Sequence, residues 1–471
     1  MHPSCQRFGV EVFISEEGDY QTPWCPHGPM LMFERYFESK PPRRFFACSA
    51  CRDRKECSFF QWADESPSKV SIEAHQKIIE ASQPLMNAKQ FGKRLKIVKS
   101  LNDYERTYCH TCDLLLLPKE LKKHAKHEIL CNVTNEMITN ASRFLKPKEN
   151  KKSHAQYLFN NDAIEFFLNT FQTLGYQKII CVGTPRIHEA IQTRKTGVID
   201  SILLDIDHRH AQFLEDDHFI HYNMFNHHFF EKDHAMVCFK KFLYNSLPSS
   251  LMVILDPPFG GLVQVLSVSL KKLWKLVLNY VKEGDDYHLS CLSTFWIFPY
   301  FMESHITKEL PFFKMCDFKV DYDNHPLYKK HFKTKKLSPV RVFTNVLLKT
   351  IILPPNDYRF CDKCQRYVSK ENLHCDLCND CPSKHNIVWQ HCLICGKCVK
   401  KGYVHCDICK SCKPPGHDCE SLTRGCHICG DFGHKRKACP QRHTKMNSNE
   451  KKRFHDGKQI TECNKIRKRE H

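Results

Sequence analysis

Asp256-Pro257-Pro258-Phe259 puts a carboxylate, two rigid peptide carbonyls and an aromatic ring directly after the apolar run Leu251 to Leu255. Those residue types suit one kind of chemistry. An exocyclic amine conjugated with its ring is a poor nucleophile, because its lone pair is delocalised. A carboxylate at Asp256 and the carbonyl of Pro257, each accepting one N–H, would localise that lone pair and aim it at an electrophilic methyl group. Proline fixes φ and holds the carbonyl rigid, and Phe259 can stack on a planar base. Asp-Pro-Pro is also ordinary turn material; its place after an apolar strand favours the chemical reading.

Such a site needs a sheet beneath it, and the flanking pattern supplies one. Asn161 or Asp162 is expected to cap a helix in which Ile164, Phe167, Leu168 and Phe171 recur at helical spacing. Strands over Lys178 to Val182, Ser201 to Leu204 and Leu251 to Leu255 lead into Gly183, Asp205 and Asp256, and Leu266, Leu270, Leu273 and Val277 mark a further helix. Open parallel sheets bind ligands at strand C-termini. Gly183 permits close backbone approach, Asp205 can accept both hydroxyls of a ribose, and Arg186 offers a bidentate partner for a carboxylate. The loop carries a single glycine followed by Thr184-Pro185-Arg186, a departure from the usual Gly-x-Gly.

The tetrapeptide resembles the (Asp/Asn)-Pro-Pro-(aromatic) motif of amino methyltransferases that use S-adenosylmethionine on N6 of adenine, N4 of cytosine or a glutamine amide. The resemblance implies an α/β, class I (Rossmann-like) methyltransferase core over residues 140–355, with Asp256, Pro257, Pro258 and Phe259 as its catalytic residues.

Twenty-eight cysteines and 29 histidines carry the second body of chemistry. They fall as Cys-x-x-Cys pairs with nearby histidines, without a secretory signal ahead of them, which favours zinc over disulfides. The segment 20–65, with Cys25-Pro26-His27-Gly28, Arg44-Phe45-Phe46-Ala47-Cys48 and Cys57-Ser58-Phe59-Phe60-Gln61-Trp62, resembles the GRF zinc finger of proteins that handle nucleic acid. That likeness implies a tetrahedral site of Cys25, His27, Cys48 and Cys57, with Cys51 as an alternative ligand. Phe45, Phe46, Phe59, Phe60 and Trp62 read as a miniature core, and Arg43, Arg44, Arg52, Arg54 and Lys55 as phosphate contacts. Residues 105–131 hold Cys109, Cys112, His124 and His127, similar to a C2H2 finger with a short histidine gap; Cys131 could replace His127.

In 358–420, Cys361, Cys364, His374 and Cys381 form one candidate set, and Cys392, Cys395, His405 and Cys412 repeat its spacing. Cys375, Cys378, His391 and Cys398 fit between them, and Cys406, Cys409, His417 and Cys419 give a compressed fourth set. Each set starts before the previous one closes, so metal binding should be folding free energy for the whole block. The block is similar to the DHHC-type cysteine-rich domain of protein palmitoyltransferases. It lacks an Asp-His-His-Cys tetrad, and no apolar run approaches the roughly 18 residues of a membrane span, so structural zinc is expected rather than acyl transfer, in a soluble chain. Cys426, Cys429, His434 and Cys439 in 424–441 match a CCHC knuckle, a class that binds single-stranded RNA. Residues 442–471 form a basic tail poor in apolar side chains, expected to be disordered and readable as a nuclear or nucleolar address or a phosphate-binding arm.

Seventy-one Lys and Arg against 52 Asp and Glu leave a net charge of +19, which makes nucleic acid the leading partner. Taken with Val182-Gly183-Thr184-Pro185-Arg186, Leu204-Asp205-Ile206-Asp207 and Tyr222-Asn223-Met224-Phe225-Asn226, the module order resembles the ribosomal RNA N6-adenosine methyltransferases nearly end to end. The resemblance implies N6-methylation of an unpaired adenosine in a large-subunit rRNA stem-loop, S-adenosylmethionine and structural zinc as cofactors, ribosome-assembly factors as further partners, and a nuclear or nucleolar place with a cytoplasmic pool possible. It also implies cofactor contacts from Gln156, Tyr157, Leu158 and Phe159, from Arg186 and Asp205, from Asn223 and Met224, and from Asp256. Two alternatives stand beside it: a catalytically silent RNA-binding zinc protein, and an enzyme of the same fold acting on DNA adenine or a protein amide.

Overall fold

The structure is a computed structural model that describes residues 9–14, 22–37, 40–51, 56–148, 156–194, 197–281, 291–325, 338–383, 388–417 and 419. It forms two units, Met1–Lys370 and Glu371–His471. The CCHC set Cys426, Cys429, His434 and Cys439, the basic tail, and Arg52, Arg54 and Lys55 lie outside the described residues.

An eight-stranded sheet organises the first unit. Its strands are β1 (Lys178–Val182), β2 (Asp200–Asp205), β3 (Phe219–Asn223), β4 (His228–Phe229), β5 (Leu251–Leu255), β6 (Ser293–Pro299), β7 (Lys314–Cys316) and β8 (Val340–Thr344), in the order β4-β3-β2-β1-β5-β6-β8-β7. The run from β3 to β6 is parallel, and β4, β7 and β8 pair antiparallel. Parallel strands buried on both faces read as continuous apolar runs, and the pleat sorts their side chains. Ile180, Val182, Ile202 and Leu204 pack with α3 (Lys232–Phe242) and α4 (Val263–Leu278). Ile179, Cys181, Leu203 and Ile254 pack with α1 (Asn161–Thr173) and α2 (Pro185–Arg194) on the other face. The α1 cap is Asn160, whose side chain accepts from the Ala163 N–H at 2.9 Å. It sits one residue before the expected Asn161, because the apolar periodicity fixes the helix face and not its first turn.

The first finger is a four-stranded antiparallel sheet, Gly9–Phe13, Leu31–Tyr36, Arg43–Ala47 and Phe60–Trp62. Alternation along it splits the expected miniature core. Phe46 and Phe59 are buried against Cys25, Cys48 and Cys57, whereas Phe45 points to the opposite face and meets Phe33, Phe60 and Trp62 at 5.0 to 5.7 Å between centroids. Arg43 and Arg44, expected to contact phosphate, are held by Asp64 and Glu65 and by Glu34 respectively. The second finger is a three-stranded sheet, Thr107–Cys109, Leu114–Leu116 and Ile129–Cys131, around buried Tyr108 and Leu115.

In the second unit two short hairpins, Trp389–Cys392 with Lys397–Lys400 and Val404–Cys406 with Ser411–Lys413, carry Cys392, Cys395 and Cys398 and Cys406, Cys409 and Cys412 respectively. Among the described residues no helix is long and apolar enough to cross a membrane.

Candidate active site

Register places the chemistry. Val182 lies opposite both Leu204 and Leu255, so Gly183 and Asp256, which follow β1 and β5, and Asp205, the last residue of β2, sit side by side at the sheet's carboxyl edge. The Gly183 N–H donates to Leu204 O at 2.9 Å and the Asp256 N–H to Val182 O at 3.2 Å. Between β1 and β5 the strand order reverses, which is where open α/β sheets hold ligands. A cavity of about 360 Å³ opens there, lined by Gln156, Tyr157, Leu158, Gly183, Asp205, Asn223, Met224 and Asp256 to Phe259.

The donor set suits S-adenosylmethionine. Gly183 has φ +66°, and a Cβ there would lie 2.8 Å from Met224 Cε and 3.4 Å from the Asp256 carbonyl, so a side chain would fill the cradle. Asp205 is 6% exposed and ends its strand beside the cavity; its Oδ1 accepts the Asp207 N–H at 2.8 Å, and burial raises its pKa. Burial alone would raise the Asp207 carboxyl, but its hydrogen bonds from Arg209, with His210 and Lys148 nearby, together pull it well below the carboxylate range. Asp256 faces the cavity half-buried. The protein around it raises its carboxyl well above the usual range, and a hydrogen bond from Tyr322 at 2.9 Å opposes that rise.

Two expected cofactor contacts are placed elsewhere. The Arg186 guanidinium donates to the Phe159 carbonyl at 2.6 Å and pairs with Asp323, and Arg186 is not in the cavity wall. Phe159 is 2% exposed in the core, stacked on Tyr322. Both stand one layer behind the cavity, because the helix that follows Gly183 carries Arg186 toward the 156–160 segment. Asn223 does reach the cavity, but its side-chain amide donates to His27 O at 2.7 Å and Ser49 Oγ at 2.9 Å in the first finger.

That finger forms part of the wall, through Pro26, His27, Ala50, Cys51 and Glu56. The contact is close. Gly28 has φ +94°, and a Cβ would lie 2.5 Å from the His228 ring. Asn226 donates to Pro29 O at 2.8 Å. The second finger docks behind the Asp205–Asp207 turn, where Gln212 accepts the Leu115 N–H at 2.6 Å and donates to Asp113 O at 2.9 Å. Sequence reasoning did not find Tyr322, His208, His221 or the finger's share of the wall. No spacing signal marks them, since they are assembled from separate segments.

Zinc chemistry is equally concrete. In each of the sets Cys25-His27-Cys48-Cys57 and Cys109-Cys112-His124-His127 the donor atoms lie within 4.8 Å of one another. His127, not Cys131, completes the second set: its Nδ1 is 3.5 Å from Cys109 Sγ and 3.3 Å from Cys112 Sγ. Cys51 Sγ lies 3.7 Å from His27 Nε2, beside the first set. Within the second unit, Cys375-Cys378-His391-Cys398 and Cys392-Cys395-His405-Cys412 cluster in the same way, and His417 Nε2 is 3.3 Å from Cys409 and 3.1 Å from Cys419. Cys361 and Cys364 belong to the first unit, and His374 and Cys381 to the second.

One backbone feature recurs at the first Cys-x-x-Cys pair of each described ligand set outside the first finger. The residue after the second cysteine is left-handed: Asp113 at φ 49°, Gln365 at 50°, Asn379 at 48°, Gly396 at 61° and Lys410 at 47°. The turn folds the backbone around the first thiolate, and the Cys395 and Cys409 N–H groups donate to Cys392 and Cys406 Sγ at 3.4 Å. Non-glycine residues rarely adopt that conformation, so its repetition points to a shared metal-binding turn.

A family model described as probable N6-adenine methyltransferase matches residues 150–346, and one described as GRF zinc finger matches residues 23–66. The chain is 47% identical over 451 residues to the rRNA N(6)-adenosine-methyltransferase ZCCHC4 of Homo sapiens, covering 94% of this chain and 87% of the human protein. It is 44% identical over 439 residues to the protein of that name from Xenopus laevis, covering 92% of this chain and 89% of the frog protein.

Proposed function

Since this chain belongs to the family of rRNA N(6)-adenosine-methyltransferases, we propose that its own residues divide the reaction as follows. The enzyme methylates N6 of adenosine in ribosomal RNA. S-adenosylmethionine, when bound, supplies a methyl group on a sulfonium. Asp205 would hold the ribose hydroxyls, and Gly183 would let the main chain approach. Asp256 and the Pro257 carbonyl would accept the two N–H bonds of the adenosine amine, gathering its lone pair and directing it at the methyl carbon. Phe259 would stack on the base. The nitrogen gains a methyl and gives up a proton, for which the Asp256 carboxylate is the adjacent acceptor. The observation that carries this reading is the side-by-side placement of Gly183, Asp205 and Asp256 on one cavity.

Because Asp256 is half-buried in that cavity, a base stacked within a duplex does not reach it, so the target adenosine is unpaired and turned outward. We place it in a stem-loop of large-subunit rRNA, on the strength of the family resemblance. The basic tail supports a nuclear and nucleolar place of action, where pre-ribosomes and their assembly factors are the natural company. Incubating the protein with labelled cofactor and separated ribosomal RNAs, then digesting them for nucleoside mass spectrometry, tests this. Labelled N6-methyladenosine in large-subunit rRNA alone is expected; label in DNA, protein or small-subunit rRNA instead would overturn it.

A further inference from the structure

Residues 321–325 bear no motif, yet they run along the 156–160 segment beside the cavity. The Asn160 N–H donates to Asp321 O at 3.1 Å and the Asp323 N–H to Leu158 O at 2.9 Å. Asn324 Oδ1 accepts the Leu158 N–H at 2.8 Å. Arg186 clamps the pair from outside, gripping Phe159 O and the Asp323 carboxylate together. These ties hold Tyr322, 3% exposed, with its ring stacked on Phe159 at 5.2 Å between centroids.

From this fixed position the Tyr322 hydroxyl reaches Asp256 Oδ1 at 2.9 Å. We propose that Tyr322 is a positioning residue for methyl transfer: its hydroxyl holds Oδ1 of Asp256, fixing the carboxylate plane so that Oδ2 is the oxygen presented to the adenosine amine. The proposal rests on Asp256 being the catalytic carboxylate. A carboxylate on a broad, two-fold torsion has no single preferred plane, and in a reaction centre a small misalignment is costly. One donated hydrogen bond selects the plane and leaves the second oxygen open to substrate. The same bond favours the ionised acid, the form that accepts an amine N–H and can take its proton. Other titratable groups around the floor are Tyr157 and His325 on the aromatic wall, Asp205 at the end of β2, and Asp321 and Asp323 on Tyr322's own segment. Among the described residues, Tyr322 is the side chain that hydrogen-bonds Asp256.

The test is Tyr322→Phe in the full-length, zinc-loaded protein, read as single-turnover methylation of an rRNA fragment against pH. The expected result is a loss of about ten- to a hundredfold near neutrality, with the acid limb moved to higher pH and with cofactor and RNA affinities unchanged. Tyr322 replaced by 3-fluorotyrosine, a stronger donor of the same shape, should move the limb to lower pH. In an Asp256→Asn background neither replacement should move any limb. Wild-type rate and limb in Tyr322→Phe, or a loss confined to affinity or melting temperature with the limb unmoved, would overturn the proposal. A separate failure, in which Asp256→Ala itself methylates normally, would instead overturn the reading beneath it.

Discussion

The side-chain amide of Asn223 donates to the main-chain carbonyl of His27 at 2.7 Å. Asn223 ends β3 on the cavity, and His27 belongs to the first finger's zinc set. The metal site and the cavity wall are therefore one structure, and stripping zinc from the finger should weaken cofactor binding although no zinc ligand is part of the methyltransferase fold. Calorimetric titration of S-adenosylmethionine into Cys25→Ser should show affinity lowered by about tenfold or more, equivalent to 1.4 kcal/mol or more, the scale of one or two lost hydrogen bonds. Wild-type affinity would mean that the finger only rests against the domain.

Asn226 tests the same junction from a side chain that is neither a zinc ligand nor an expected cofactor contact, although it also donates to the His27 carbonyl at 3.2 Å. Asn226→Ala leaves the Pro29 carbonyl without its donor, at a cost of roughly 1–3 kcal/mol for an unsatisfied polar group in a junction. A fall in melting temperature with unchanged zinc content is expected; equal stability would show that water replaces the amide.

The pH behaviour of Asp256 has a definite sign. Burial raises its folded pKa above the unfolded value, so the folded state binds the proton more tightly, and stability falls as pH rises from the ordinary carboxylate range through the raised value. The rate runs the other way, rising as the acid ionises. Asp256→Asn should therefore melt higher than wild type at pH 7 to 8, with the difference closing below about pH 4, and its methylation should lose the acid limb. Parallel melting and rate profiles check both.

Much of this site was legible because its residues end strands. An apolar run followed by Gly183, Asp205 or Asp256 fixes position through the parallel register, and the register is set by burial on both faces. The zinc sets were legible because their spacing is local. Tyr322 was not, because its contact with Asp256 spans 66 positions and depends on two irregular segments lying together. The partner of Arg186 was hidden for a related reason: its charge suggested a carboxylate ligand, and only the fold supplies Asp323 beside it. The outward face of the finger, with Phe45 and Trp62, was hidden by reading aromatics in number rather than by strand parity.

The left-handed turns that follow the first Cys-x-x-Cys of the later zinc sets yield a stability prediction. Lys410, at φ 47°, holds a conformation that costs a non-glycine residue roughly 1–2 kcal/mol, and Gly396 occupies the matching turn at 61°. Lys410→Gly should slow zinc release to a colorimetric chelator. Faster release would mean that the lysine side chain stabilises the turn by more than the strain it bears.

Metal content is a further check. Fully loaded protein should carry roughly seven zinc ions, one for each ligand set, and chelation should unfold 371–419 in a single step, since metal binding there is folding free energy. One or two ions, or stepwise loss, would contradict interlocked sites.

Asp256→Ala gives the most direct measurement: single-turnover methylation of an rRNA fragment, with RNA binding and melting followed on the same preparation. A carboxylate that accepts an N–H strengthening during attack should be worth a factor of about 10² to 10³, while RNA affinity, spread over many phosphate contacts, should hardly change. A folded Asp256→Ala protein that binds RNA and methylates at the wild-type rate would contradict the assignment of this cavity as the catalytic centre.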